Sequence, residues 1–156
     1  MKLTPSIIGE NLLKLVQSML KIQSEEVTSK ANIIQVHTFL NNLNNFEHLF
    51  PKDKISDWLS NKEECSLKIQ KMYTLELKKV EVKPAYIKLS SGKSASFKFD
   101  MQINLIALDD EHTTAQILCN IDINPILKAM VSKPLNELFN YMANKIEKAI
   151  KLGELD

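Results

Sequence analysis

The stretch TTAQILCNIDIN, from Thr113 to Asn124, is followed directly by Pro125 and by a long segment with helical spacing. Between Ala115 and Ile123 apolar and polar residues alternate, which is typical of a strand with one buried face. After Pro125, apolar residues recur every three or four positions, as in an amphipathic helix. Together with the alternating segments before it, this stretch predicts a curved antiparallel sheet that grips one C-terminal helix.

Upstream of this stretch, most of the chain has a period of two. Residues Leu75 and Leu77 change parity to Val80 and Val82, which predicts a bulge near Lys78 and Lys79. One-sided alternation indicates an antiparallel sheet with one dry face. The other predicted strands are Leu20–Lys30, Ile55–Ser60, Cys65–Gln70, Tyr86–Ser90 and Ala95–Leu105.

Two short helices are predicted between the first two strands. One covers Asn32–Leu43 with Asn32 as its N-cap, and the other covers Asn45–Leu49 and ends before Pro51.

The main part of the C-terminal helix is predicted to have Pro134 in its first turn. A short helical turn over Ile126–Val131 is predicted to precede it, with a kink between the two. Asn124 is expected to cap the segment that begins at Pro125. The apolar stripe of this helix consists of Leu135, Leu138, Phe139, Met142, Ile146, Ala149 and Ile150.

Composition narrows the class of protein. The 156 residues fit one domain, and the net charge of +1 provides no excess field to attract nucleic acid. The chain contains Lys but no Arg, so no guanidinium group can bind an anion through two parallel hydrogen bonds. Any anion site would depend on Lys or on backbone amides. No apolar run reaches the length of a membrane span, and no secretory signal is evident, so the cytoplasm is the expected compartment. Cys65 and Cys119 are expected to be inert packing residues.

The chain is predicted to divide into an extension over residues 1–17, expected to be helical, and a single domain over 18–156. Met19 is an alternative start, in which case the preceding residues would be an accessory segment.

The order of these elements resembles the START-like helix-grip superfamily, also called SRPBCC. The chain contains the local phrases Asn45–Pro51, Ile55–Trp58, Glu64–Ser66, Asp122–Lys128 and Lys133–Leu135. These phrases resemble a small branch familiar from Bacteroidetes-type bacteria, whose members mostly have no assigned function. The match covers about Leu20–Leu152. It implies an α+β fold with a hydrophobic cavity between sheet and helix, used in the superfamily for lipids, sterols, polyketides or plant hormones, for catalysis in some branches and for protein binding in others.

Candidate catalytic and metal-binding residues are few. His37, His48 and His112 have no ligand-like spacing, and the acidic run 109–111 suits a solvated turn better than a calcium loop. Asp57 is the first acid to inspect for an enzymatic role, and its neighbour Trp58 suits either packing or a ligand contact. The sequence assigns no catalytic residue, metal ligand or cofactor.

The leading hypothesis is a non-catalytic carrier or sensor for a small hydrophobic, lipid-like or polyketide-like molecule. The alternatives are a protein interaction module or homodimer that uses the N-terminal segment or a sheet edge, and a cyclase or hydrolase that uses the cavity. The predicted lining consists of Trp58, Phe97, Phe99, Met101, Ile117, Cys119, Leu135, Leu138, Phe139 and Met142.

Overall fold

The structure is a computed structural model that describes residues 19–155. The side chains of residues 149 and 151–155 are outside this description. The expected extension over residues 1–17 and the stripe position Ala149 therefore lie outside what is described. The buried apolar side chains of the described part form one cluster. The prediction of one domain over 18–156 stays a prediction.

Eight strands and a long terminal helix make up most of the described chain. A 3₁₀ helix over Leu43–Leu49 follows the first α-helix. The other elements are β1 (Met19–Gln23), β2 (Val27–Ser29), α1 (Ile33–Leu40), β3 (Ile55–Ser60), β4 (Glu64–Ile69), β5 (Tyr73–Lys83), β6 (Tyr86–Ser91), β7 (Lys98–Ala107), β8 (Thr113–Asp122) and α2 (Pro125–Leu155).

The strands form one antiparallel sheet in the order β1-β8-β7-β6-β5-β4-β3, and β2 also pairs with β8. Across β7 and β8, Met101 faces Cys119 and Ile103 faces Ile117, and all four side chains are buried. Their neighbours in sequence point to the other face, as the alternation predicted. The helix-grip fold class is thus confirmed: a curved antiparallel sheet holds a long C-terminal helix, with two short helices after β2.

The predicted first strand over Leu20–Lys30 is wrong in one respect, because it is split into β1 and β2. Ser24 lies at the break and is buried. Its backbone N–H donates to the Ile117 carbonyl, and its Oγ accepts from the Ile117 N–H, both at 2.9 Å. The serine side chain thus takes a place in the ladder that a backbone carbonyl would otherwise fill.

The crossover helices differ slightly from their predicted bounds. Asn32 caps α1 as predicted, since its Oδ1 accepts the Gln35 N–H at 2.9 Å and the Gln35 side chain accepts the Asn32 N–H at 3.0 Å. The helix ends at Leu40 rather than Leu43. The reason is a second cap: Asn42 Oδ1 accepts the Asn44 N–H at 3.1 Å and starts the 3₁₀ helix.

The predicted bulge in β5 is confirmed by a register shift between Lys79 and Glu81. Lys79 lies beside it with only 8% of its side chain exposed. Its Nζ donates to the main-chain oxygen of Asn41 at 2.6 Å and lies 3.4 Å from a Glu63 carboxylate oxygen. The Lys79 ammonium group from β5 thus lies at the C-terminal end of α1, where it bonds to a terminal carbonyl and complements the helix dipole.

Asn124 caps α2 as predicted, because its Oδ1 accepts the Leu127 N–H at 2.9 Å. The prediction that the main helix begins only at Pro134 is wrong, since α2 continues through this proline. Pro134 has no N–H, so the Met130 carbonyl loses one helical hydrogen bond. Met130 is exposed, so water is available to that carbonyl. Nearby, the Asn136 side chain donates to the Ser132 carbonyl at 2.8 Å, which adds a bond within the same turns.

The two halves of α2 differ in how they contact the sheet. From Pro125 to Leu138 no residue is buried. The second half is anchored to the β1–β2 edge, where the Glu25 N–H donates to Asn140 Oδ1 at 2.8 Å and Ser29 Oγ donates to the Ile146 carbonyl at 3.3 Å. The first half therefore lies above the sheet without filling the space beneath it. The buried residues of the second half are Phe139, Met142, Ala143, Ile146 and Ile150.

Candidate functional site

A cavity of about 610 Å³ lies between the first half of α2 and the concave face of the sheet. It exists because the fully buried side chains of α2 all lie in its second half, whereas the first half contributes only half-buried apolar side chains at the margin of the core. The sheet in front of the second half is therefore only partly covered. The lining residues are Phe50, Pro51, Asp53, Lys54, Ile55, Ile69, Gln70, Tyr73, Leu75, Leu77, Phe97, Phe99, Met101, Cys119, Ile121, Val131, Pro134, Leu135, Glu137, Leu138, Phe139, Tyr141 and Met142.

The floor of the cavity comes from alternate positions on neighbouring strands. Leu75 and Leu77 project from β5, and Phe99 and Met101 project from β7. Since every second side chain of a strand faces the same way, each strand supplies a pair or more to one apolar surface. The roof includes the first four residues of the predicted α2 stripe, which are Leu135, Leu138, Phe139 and Met142.

The predicted lining residues gather on this wall, except for Trp58 and Ile117. Trp58 packs against Phe50 with ring centroids 6.1 Å apart, and its Nε1–H donates to Ser60 Oγ at 3.0 Å. Ile117 is fully buried, opposite Ile103 and beside the break between β1 and β2. Whether the residues on the wall bind a ligand stays a prediction.

Several lining residues were not predicted. Leu75, Leu77 and Ile121 share the parity of predicted strand positions, so the alternation itself was a usable signal. The segment Phe50–Ile55 and the polar residue Gln70 had no such signal, because they reach the cavity only when loops from two parts of the chain come together.

Polarity divides the lining by depth. The buried part of the wall is apolar apart from one thiol, whereas the charged and amide-bearing lining residues are exposed at the opening. We call these exposed lining residues the mouth: Asp53, Lys54, Gln70, Pro134, Glu137 and Tyr141.

Cys119 is the titratable group of the buried wall. Burial, and then the nearby Asp100 carboxylate, raise the pKa of its thiol to about 12. Because the thiolate is the nucleophilic form, this cysteine stays protonated and unreactive near neutral pH. Its place in the wall is that of a small apolar group.

The histidines and Asp57 lie away from the cavity wall. His37 Nε2 lies 2.8 Å from the Lys83 carbonyl, and His48 is half-buried beyond the lining. Asp57 is exposed in the edge strand β3, 3.9 Å from Lys68 Nζ, so the acid singled out for an enzymatic role points to solvent.

The acidic turn after β7 is organised by its own hydrogen bonds. Asp109 Oδ1 accepts the Glu111 N–H at 2.8 Å, and His112 Nδ1 lies at the same distance from that oxygen. The Glu111 amide first, and then His112, hold the pKa of the Asp109 carboxyl below its ordinary value. Within residues 19–155, no group of three or more metal-ligating side chains converges.

Comparison with solved structures places the fold. An aromatase/cyclase from Streptomyces sp. R1128 superposes with a TM-score of 0.67 at 14% identity, over 85% of this chain and 94% of that one. A START superfamily protein from Mycobacterium smegmatis superposes with a TM-score of 0.66 at 12% identity, over 86% and 97%. Norcoclaurine synthase from Thalictrum flavum, solved with dopamine and hydroxybenzaldehyde, gives 0.63 at 13% identity, over 97% and 96%.

At these identities the likeness is one of fold, and it confirms the resemblance to the START-like superfamily at that level. No protein-family model and no curated protein sequence matches the chain. The closer resemblance to a Bacteroidetes-type branch stays a prediction. None of the helices within the described residues combines the length and hydropathy needed to cross a bilayer.

Proposed function

We propose that this protein binds a small, largely apolar molecule in the cavity beneath the first half of α2, as a carrier or sensor. The observation that carries the proposal is the cavity of about 610 Å³ with a buried apolar wall. Pockets that hold small molecules typically enclose roughly 300–1,000 Å³ and are lined mostly by hydrophobic side chains.

Burial of apolar surface would drive binding. Each Å² of hydrocarbon removed from water contributes about 25 cal/mol before ordering costs are deducted. The aromatic pair Tyr73 and Phe97, with ring centroids 5.3 Å apart, stands on the wall and offers flat apolar surface to a ligand. Adaptable side chains such as Met101 and Met142 allow the wall to fit more than one ligand shape.

The fold is compatible with such a role. A neighbour of the same fold was solved with two small aromatic compounds, dopamine and hydroxybenzaldehyde. Another neighbour is named an aromatase/cyclase, so this fold also hosts catalysis. In the present chain the charged lining residues stand at the mouth and Cys119 is held protonated, which favours binding over acid–base chemistry at a buried ligand.

A filling substitution tests the proposal. Leu138→Trp places an indole where a half-buried lining side chain stands, whereas Ile126→Trp places one on the same helix at a side chain that is 76% exposed and outside the lining. The probe is 8-anilinonaphthalene-1-sulfonate, whose fluorescence rises in apolar surroundings, excited directly above 350 nm.

Wild type and Ile126→Trp should bind the probe saturably with equal affinity, and Leu138→Trp at least tenfold more weakly. Val131→Trp, a second lining substitution, should repeat the loss. Circular dichroism checks that each variant is folded. Equal probe affinity in all four proteins would remove the cavity as the binding site.

A further inference from the structure

A smaller groove of about 270 Å³ adjoins the mouth. It shares Asp53, Lys54, Ile55 and Gln70 with the main cavity, so the two spaces lie side by side. We call it the mouth groove, and its lining residues are Asp53, Lys54, Ile55, Ser56, Gln70 and Lys71.

Two loops build the mouth groove. The Gln70 N–H donates to the Lys54 carbonyl at 2.8 Å, which ties the β4–β5 hairpin to the segment before β3. At the hairpin tip Gln70 and Lys71 have φ angles of 53° and 57°. Residues other than Gly or Asn rarely adopt these left-handed conformations. Here Gln70 and Lys71 adopt them, and both residues line the groove.

The two spaces have opposite chemistry. The deep cavity wall carries hydrocarbon, aromatic rings and one thiol, with no charged group among its buried residues. In the mouth groove every lining residue except Ile55 is polar, and the two lysines Lys54 and Lys71 outnumber the single carboxylate of Asp53. Glu137 faces the mouth from α2 but lies outside the groove lining.

We propose, building on the ligand-binding function above, that the ligand is an amphiphile with an anionic head. Its hydrocarbon end lies in the deep cavity, where a polar group would lose water without gaining a partner. Its head, a carboxylate or a phosphate, lies in the mouth groove beside Lys54 and Lys71. The head points outward because the polar partners are at the mouth and not at the floor.

Ten-carbon probes that differ only in the head group test this orientation. They are decanoate, decyl phosphate, decan-1-ol and decyltrimethylammonium. Each charged probe is titrated calorimetrically below its critical micelle concentration, and decan-1-ol below its solubility limit. Wild type should bind at least one anionic probe about fivefold or more tightly than decan-1-ol, as two exposed ion contacts allow. It should bind the ammonium probe more weakly than the alcohol. The stronger of decanoate and decyl phosphate identifies the head chemistry, and 0.5 M salt should shrink the preference.

The double variant Lys54→Gln/Lys71→Gln should lower anionic affinity to that of decan-1-ol and leave decan-1-ol affinity unchanged. The matched control Lys21→Gln/Lys30→Gln removes the same charge from exposed residues outside both linings and should bind like wild type.

Two failures can be told apart. If all four probes bind and the head group or the lysine substitutions make no difference, the ligand-binding function stands and the anionic head is wrong. A preference for the ammonium probe also overturns the anionic head. If no probe binds to wild type, the ligand-binding function itself fails, and this inference fails with it.

Discussion

At the scale of single residues, Cys65 and Cys119 show how burial sets chemistry. Burial is the main cause that raises the pKa of each thiol from 9.0 to about 12, with smaller contributions from Glu64 and Asp100 respectively. Both side chains are therefore neutral packing groups at physiological pH, as their strand positions predicted.

Alkaline pH should destabilise the protein through these thiols. The unfolded chain releases the protons near pH 9 and the folded protein only near pH 12, so the thiols' contribution to stability is complete below about pH 8. Above pH 9 it falls by up to about 1.4 kcal/mol per pH unit for each thiol. Urea unfolding at pH 7 to 11 measures the slope.

The control for this pH dependence is the double variant Cys65→Val/Cys119→Val. Its free energy of unfolding should fall less steeply above pH 9 than that of wild type, whatever its value at pH 7. Parallel slopes in the two proteins would show that other groups cause the alkaline loss.

The hairpin tip marks the limit of sequence reasoning at this scale. Left-handed dihedrals are usually signalled by Gly or Asn, and Gln70 and Lys71 give no such signal. Caps were predictable by contrast, because Asn32 and Asn124 each stand directly before a helical pattern and bond to amides three residues ahead. A local hydrogen bond can be predicted from local sequence.

At the scale of elements, α2 behaves as two segments with different support. The second half carries the buried side chains and is bonded to β2 and to the β1–β2 connection, whereas the first half has only half-buried or exposed side chains above the cavity. Local stability follows buried apolar contact, so the first half should open more readily.

Hydrogen–deuterium exchange should resolve this difference. Amides of residues 127–138, apart from Pro134, should exchange at least tenfold faster than those of 139–148 in the free protein. Decanoate or another bound probe should slow the first half selectively, because the ligand supplies the contacts that the sheet does not. Equal protection along the whole helix would contradict the two-segment description.

Elements were predictable where their cause is periodic, and less so where it is tertiary. The alternation of β7 and β8 and the parity change in β5 predicted those strands and the bulge. The division of β1 from β2 depends on Ser24 bonding to Ile117, which is 93 positions away. The continuity of α2 through Pro134 depends on whether the other interactions of the helix outweigh the loss of one backbone hydrogen bond, which the local sequence does not indicate.

At the scale of the whole molecule, the fold creates the cavity, and the sequence determines which side chains line it. Strand parity and the helical stripe predicted Phe99, Met101, Leu135 and Phe139, which do line it. The polar mouth was not predictable, because the segment before β3, the β4–β5 hairpin and α2 meet only in the folded chain. The sequence therefore indicated what the cavity is made of more readily than how it opens.

Native mass spectrometry of the protein purified from its own host shows whether the cavity holds a ligand. Ligand binding in the cavity predicts one added mass per chain, released on denaturation as an apolar or amphiphilic molecule, retained in Ile126→Trp and missing from Leu138→Trp. A wild-type spectrum that shows only the mass of the bare chain, together with a failure to bind any of the apolar probes, would contradict it.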